Sequence, residues 1–202
     1  MTRVKICGLT RREDVELAIE LGANAVGFVL EPSSPRCVGL AEIADLLDGV
    51  PPYVARTAVM GPFQPGKHLA SFDAVQAIGS RRSMLEASQR AIAVLRLGAG
   101  DELPPWEDID ALLIDAHVAG EYGGTGHAVS LPAAKAAMAD SVRPVIVAGG
   151  LTADSVGTAI KELRPFAVDV SSGVESGPGT KDRGAMTAFF AAVLEADRSL
   201  VP

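Results

Sequence analysis

Short apolar, β-branched runs alternate with amphipathic stretches along almost the whole chain, and that alternation restricts the fold more than any other property of the sequence. The runs fall at 4–7, 25–30, 54–59, 74–78, 91–97, 111–115, 144–148 and 167–171. Their length and composition suit strands. Helix-period patterns occupy 11–21, 40–47, 62–71, 82–89, 131–139 and 153–163, with another at 182–197 after the last run. Only 99–110, which contains Pro104-Pro105-Trp106, reads as loop. Strands separated by helices must pair in parallel through crossovers, and eight such units close most economically into an α/β fold of the (β/α)8 TIM-barrel type. An open doubly wound sheet is the competitor. Against it, the first run ends in Cys7-Gly8-Leu9-Thr10 and not in the G-x-G-x-x-G turn of a dinucleotide-binding unit.

Barrels of this kind typically need ~250 residues, so 202 residues allow a single domain, 1–202, with short loops and no linker. With 48% hydrophobic and only 4% aromatic residues, the core should be built of small aliphatics. The net charge of -7, from 18 Lys and Arg against 25 Asp and Glu, speaks against general affinity for nucleic acid, whose phosphates are bound by clustered cations. Any anionic ligand must be held by local geometry. No apolar run reaches the ~18 residues of a membrane helix, and no basic n-region leads into an apolar h-region. Cys7 and Cys37 are too few for a disulfide framework, so a reducing, cytoplasmic setting is the expectation. The sequence does not fix the oligomeric state, because an apolar helix looks the same whether it covers a core or a neighbour.

Active sites of this fold are assembled from the loops that follow the strands. Gly149-Gly150 ends the seventh run and leads through Leu151-Thr152 into a helix start; Ser172-Gly173 and 177–179 follow the eighth. Glycines let main-chain N–H groups approach an anion, and a helix N-terminus adds partial positive charge. The two loops together read as a phosphate cradle, with ordinary turns as the alternative. After the sixth run, Gly123-Gly124-Thr125-Gly126-His127 lacks the order and the lysine of a P-loop, and suits a loop closing over a small substrate. Arg36, placed by Pro35, offers a planar fork to a carboxylate or phosphate, or else to a surface ion pair.

On the first run a period of two sets Arg3, Lys5 and Cys7 on one face and Val4 and Ile6 on the other. The apolar face must meet the helices, so Lys5 and Cys7 point into the barrel. A buried lysine needs a partner. Asp115 and Asp169 have the parity that turns them inward from the sixth and eighth runs, which makes Lys5, Asp115 and Asp169 a structural polar interior. Cys7 has two readings: a small buried hydrophobe, or a thiol at the barrel mouth that gives up its proton and acts as base or nucleophile. His68, His117 and His127 lie far in sequence from both cysteines, and no metal-ligand spacing occurs.

Several stretches stand together in order and spacing: Val4-Lys5-Ile6-Cys7-Gly8-Leu9-Thr10, Gly22-Ala23-Asn24-Ala25-Val26-Gly27-Phe28, Ser34-Pro35-Arg36, Gly123-Gly124-Thr125-Gly126, and Val147-Ala148-Gly149-Gly150-Leu151. With Val168-Asp169-Val170-Ser171-Ser172-Gly173-Val174-Glu175 and Gly179-Thr180-Lys181-Asp182, they give a chain that resembles the phosphoribosylanthranilate isomerases of tryptophan biosynthesis over nearly its whole length. The resemblance implies an isomerase without cofactor or metal that performs an Amadori rearrangement on a small phosphorylated sugar. It also implies that Cys7 is the general base at sugar C2 and that Arg36 contacts the anthranilate carboxylate. The phosphate would fall to Gly149, Gly150, Ser172 and Gly173.

The chain departs from that family at two places. The family's aspartate acid, four residues beyond Gly-Thr-Gly, is Ser130 here, after His127-Ala128-Val129. In strand four, Gln-Leu-His-Gly-Asp-Glu becomes Gln76-Ala77-Ile78-Gly79-Ser80-Arg81. Serine is too weak an acid to replace aspartate, whereas His127, with an ordinary pKa of ~6.5, suits proton donation. A related phosphosugar isomerase with a different amine substrate, or a barrel that binds a phosphosugar without turnover, would be the other outcomes. Cys37 and Trp106 receive no role from the sequence.

Overall fold

The computed structural model describes residues 1–64, 66, 69–116 and 130–201. Eight strands, β1 (Arg3–Cys7), β2 (Ala25–Val29), β3 (Ala55–Pro62), β4 (Ala74–Ile78), β5 (Arg90–Leu97), β6 (Ala111–Ala116), β7 (Val145–Val147) and β8 (Ala167–Val170), form one closed barrel. All neighbours are parallel. Closure is carried by β1, whose Lys5 stands in register with Ala25 of β2 on one side and Asp169 of β8 on the other.

Five helices cover the described part of the barrel: α1 (Arg12–Glu20), α2 (Leu40–Leu47), α3 (Leu131–Ala139), α4 (Ala153–Leu163) and α5 (Arg183–Ser199). In α4 the buried residues Val156, Ala159, Ile160 and Leu163 recur at the spacing that puts them on one face. The α5 helix starts where Asp182 caps the N–H of Ala185, and it buries Met186, Phe189, Val193 and Ala196. Both faces press on the outward residues of the strands, among them Val4, Ile6, Val26, Phe28, Val168 and Val170. Inward residues of β4 to β8, with Ala148 just beyond β7, make a separate cluster of Ala74, Ile92, Val94, Ala111, Leu113, Ile146, Ala148 and Ala167. That plug is why the barrel holds a cavity at one end and not a pore.

The helix expected at 82–89 does not form; of the one expected at 62–71, residues 65, 67 and 68 lie outside the described residues and the described ones form no α-helix. Strand β3 runs on to Pro62, and the second segment contains only a single 3-10 turn, Arg82–Met84. Local polar bonds displace the helix there: Ser83 donates its N–H and its hydroxyl to Asp108, and the buried Gln89 side chain donates to the carbonyls of Leu69 and Phe72. Met84 is exposed, so a helix would gain little apolar burial. Trp106, in the loop 99–110, opens another 3-10 turn, packs partly buried against the cluster around Leu112 and Ile114, and accepts a bond from Arg143 at its carbonyl.

Beyond β8 the chain makes a short antiparallel hairpin, β9 (Glu175–Gly177) and β10 (Thr180–Lys181). Gly177 and Gly179 belong to this hairpin and do not line the cavity, which corrects their expected place in the phosphate cradle. The hairpin is pinned to the start of α1: the Thr10 hydroxyl donates to the Gly179 carbonyl, and the Lys181 N–H donates to Asp14.

Candidate active site

The cavity opens at the C-terminal ends of the strands and gathers Cys7, Arg36, Gly149, Gly150, Ser172 and Gly173 on one wall, with Gln76, Arg96 and Asp115 facing them from β4, β5 and β6. Of the residues picked from the sequence, Lys5 lies just beneath and is buried. His127 lies outside the described residues. Ser130 is the exposed residue that precedes α3 and does not line the cavity.

Alternation along β1 puts Val4 and Ile6 against the helices, and Cys7 at the cavity, as the period of two requires. Lys5 donates to Asp169 at 2.9 Å, so of the two carboxylates expected as partners it is Asp169 that pairs with it, and Asp115 lines the cavity from the far wall. Register decides this, since Lys5 and Asp169 stand side by side on adjacent strands. Burial works against the charge on Lys5, yet Asp169 and then Cys7 outweigh it and hold its pKa above the ordinary lysine value. Burial also pushes the Cys7 thiol up, with Lys5 pulling it down and Asp169 adding to the rise.

Arg36 is held side-on by Glu175: its Nε donates at 2.9 Å and its Nη2 at 2.7 Å. The Nη1 end of the guanidinium makes no ion pair among the described residues, so the fork keeps an end-on face for a second carboxylate. The arginine stem runs over Gly8, where a Cβ would come within 2.5 Å of Arg36 Cδ. Glu175 also accepts from Lys181 at 2.7 Å, and Lys181 donates in addition to the carbonyls of Cys7 and Ser171. Although burial alone would raise it, the bonds from Arg36 and Lys181 hold the Glu175 carboxyl below the usual carboxylate range. Burial lowers the pKa of Lys181, against the pull of Glu175.

Glu175 and Lys181 are the functional residues that sequence reasoning passed over. Both sat inside the stretches quoted for the family resemblance, but Arg36, which Glu175 binds together with Lys181, is 139 residues away from Glu175, and no local pattern links them.

The two glycine-rich loops meet on the same wall as Cys7, after the neighbouring strands β7 and β8. Gly149 and Gly150 take φ of +93° and +62°, a backbone that side chains resist, and they deliver the chain to Thr152, whose N–H is capped by Ser155 at the start of α4. A Cβ on Gly173 would collide with the Leu151 carbonyl. The loops after β7 and β8 can therefore touch only because residue 173 has no side chain, and the touch brings their main chains to one end of the cavity. A dianion fits such a place.

A closed eight-stranded parallel barrel with its cavity at the C-terminal strand ends, a buried thiol on β1 and paired glycine-rich loops after β7 and β8 defines a (β/α)8-barrel enzyme. The sequence matches the family model "PRAI: N-(5'phosphoribosyl)anthranilate (PRA) isomerase" over residues 4–192. It is 37% identical to the N-(5'-phosphoribosyl)anthranilate isomerase of Halorhodospira halophila, over 98% of this chain and 99% of that one. The structure resembles the phosphoribosyl anthranilate isomerase of Thermus thermophilus with a TM-score of 0.82, at 33% identity and over 96% of this chain and 99% of that one. A further solved isomerase, in complex with reduced 1-(o-carboxyphenylamino)-1-deoxyribulose 5-phosphate, is 28% identical with a TM-score of 0.73, over 96% of this chain and 100% of that one. The chain belongs to the N-(5'-phosphoribosyl)anthranilate isomerase family.

Proposed function

We propose that the protein converts N-(5'-phosphoribosyl)anthranilate to 1-(o-carboxyphenylamino)-1-deoxyribulose 5-phosphate, the Amadori step of tryptophan biosynthesis, in the reducing setting of the cytoplasm. The observation that carries this reading is the single cavity shared by Cys7, the Arg36 fork and the loops of Gly149, Gly150, Ser172 and Gly173. The cavity offers a guanidinium suited to a carboxylate and main-chain N–H groups suited to a phosphate beside the same thiol. Among the described residues no helix is long and apolar enough to cross a membrane.

The ring opens when an acid protonates the furanose oxygen as its bond to C1 breaks, giving a protonated Schiff base between C1 and the amine. The Cys7 thiolate then takes the proton from C2, and the electron pair moves to the cationic nitrogen. The resulting enolamine takes a proton at C1 and loses the hydroxyl proton at C2, which leaves the ketone. Arg36 holds the anthranilate carboxylate with its end-on face while Glu175 grips the other. The four main-chain sites of the loops after β7 and β8 hold the phosphate. His127, between β6 and α3 in sequence and outside the described residues, supplies the opening proton.

Cys7→Ser is expected to lower the conversion, followed as loss of substrate fluorescence, by about 10²–10⁴-fold. It should also abolish rescue of a tryptophan auxotroph lacking this step. Rescue at the wild-type rate would remove Cys7 from the mechanism. A full rate in His127→Ala together with a dead Asp115→Asn would transfer the acid to the carboxylate that β6 presents to the cavity.

A further inference from the structure

We propose that Lys5 is a positioning residue for the Cys7 base: its ammonium carries the thiolate, and residue 27 is glycine so that the two side chains can meet. The inference rests on Cys7 being the base of the proposed reaction. It starts from β1, where Lys5 and Cys7 are two residues apart on the inward face, and from β2, where Gly27 stands in register with Cys7. A Cβ on Gly27 would lie 2.9 Å from Lys5 Cε, 3.0 Å from Lys5 Nζ and 3.0 Å from Cys7 Sγ. The ammonium and the sulfur thus converge on the one spot that the missing side chain leaves open. Strand backbone at Gly27 accommodates any residue, so space and not conformation demands glycine there.

The ammonium is held for this purpose and not merely neutralised. One of its three hydrogens is donated to Asp169, in a pair that is almost fully shielded from solvent. That carboxylate fixes the direction of the lysine and keeps it charged, while the remaining hydrogens can face the thiol. The other charges around Cys7 come from every element that packs on it. The β8 strand brings Asp169. The loop after β2 brings Arg36, and the hairpin brings Glu175 and Lys181, the last on the Cys7 carbonyl. Across the cavity stand Asp115 on β6, Arg96 of β5 with its partner Asp101, and Glu31 at the rim. Among these charges Lys5 is the one that does most to offset the burial holding the thiol above its ordinary value.

The experiment measures the thiol itself. In a Cys37→Ser background, which removes the exposed second thiol, the rate of alkylation of Cys7 by iodoacetamide is followed against pH. Lys5→Met should raise the midpoint by about one to three pH units, the size expected for loss of an adjacent opposite charge. Gly27→Ala keeps the Lys5–Asp169 pair and only forces a methyl between ammonium and sulfur; it should raise the midpoint by about one unit. The alkaline-activating limb of kcat should move with the thiol in both variants, with KM for the substrate little changed. If Lys5→Met fails to fold because Asp169 is left buried without a partner, Gly27→Ala decides alone. Midpoints that coincide with the parent protein overturn the proposal, even where the variants unfold at a lower temperature, because that is what a purely structural lysine would give. A midpoint that moves while the limb of kcat stays put keeps Lys5 on the thiolate and removes Cys7 as the base, which separates failure of the inference from failure of the function it rests on.

Discussion

The barrel closes the same sheet by unequal means on its two sides. From β7 through β8 and β1 to β2, the crossovers are α-helices, and the inward or rim-facing charged groups are tied into buried pairs, Lys5 with Asp169 and Glu175 with Arg36 and Lys181. From β3 to β6 the described crossovers contain only short 3-10 turns; Arg96 pairs with Asp101 there, and Gln76 reaches inward with a side-chain oxygen that, like Asp169 Oδ1 on the other side, accepts no hydrogen bond among the described residues. The difference teaches where rigidity is concentrated. The thiol, the fork proposed for a carboxylate and the loops proposed for a phosphate all sit on the tied side, where second partners fix the side chains of Lys5 and Arg36, as preorganised chemistry requires. The other side has mainly to exclude water and shape a wall.

The comparison breaks first at Lys181. Its ammonium is buried and satisfies Glu175 and the carbonyls of Cys7 and Ser171 together. Lys181→Met leaves a buried carboxylate with one partner and takes a charged donor from the carbonyls of Cys7 and Ser171. The expected loss is about 3–5 kcal/mol in denaturant unfolding, with a higher KM as Arg36 loses its fixed Glu175. A loss below about 1 kcal/mol would mean that the tied side is no more rigid than the other.

Acid sharpens the same contrast. The Glu175 carboxyl is depressed in the folded protein, so the unfolded chain binds its proton first. The stability it contributes is present above the ordinary glutamate pKa of about 4.3 and is lost as pH falls through the lower, folded value. Thermal unfolding followed from pH 7 downward should therefore separate wild type from Glu175→Gln near neutrality and bring the two together in acid. The raised Cys7 thiol acts at the other end: its contribution is complete below the ordinary thiol pKa of about 8.5 and is lost as pH rises through the folded value. Parallel curves for wild type and Glu175→Gln at every pH would show that the carboxylate is not selectively ionised by its two cations.

The two sides were also unequally legible. On the tied side the period of two in β1 was enough to turn Lys5 and Cys7 inward and Val4 and Ile6 outward, because a charge cannot face an apolar helix layer. It could not choose between Asp115 and Asp169, which depends on the register of strands far apart in sequence. For the same reason Glu175 went unnoticed: nothing near it in sequence says that Arg36 will lie over Gly8. On the looser side the failure was of another kind. The segments 62–71 and 82–89 have enough helix formers to suggest helices, but propensity is a weak prior. Gln89, Ser83 and Asp108 found better bonds across the loops than along a helix.

The smallest effect belongs to that looser side. Ser83, itself exposed, joins the connection after β4 to the one after β5 through its N–H and hydroxyl, both donated to a partly exposed Asp108. Ser83→Ala keeps the main-chain bond and deletes the hydroxyl bond, at a cost of about 0.5–1 kcal/mol, since the vacated carboxylate oxygen is reached by water. Both kcat and KM should stay at wild-type values, because the pairs that fix Cys7 and Arg36 do not run through this loop. The substitution therefore tests the division of the barrel more strictly than a large one would. Steady-state kinetics that change by more than about threefold, roughly 0.7 kcal/mol in barrier height, would show that the geometry of the site depends on the connection between β4 and β6, and that the apparent slackness of that wall is part of how the cavity is set.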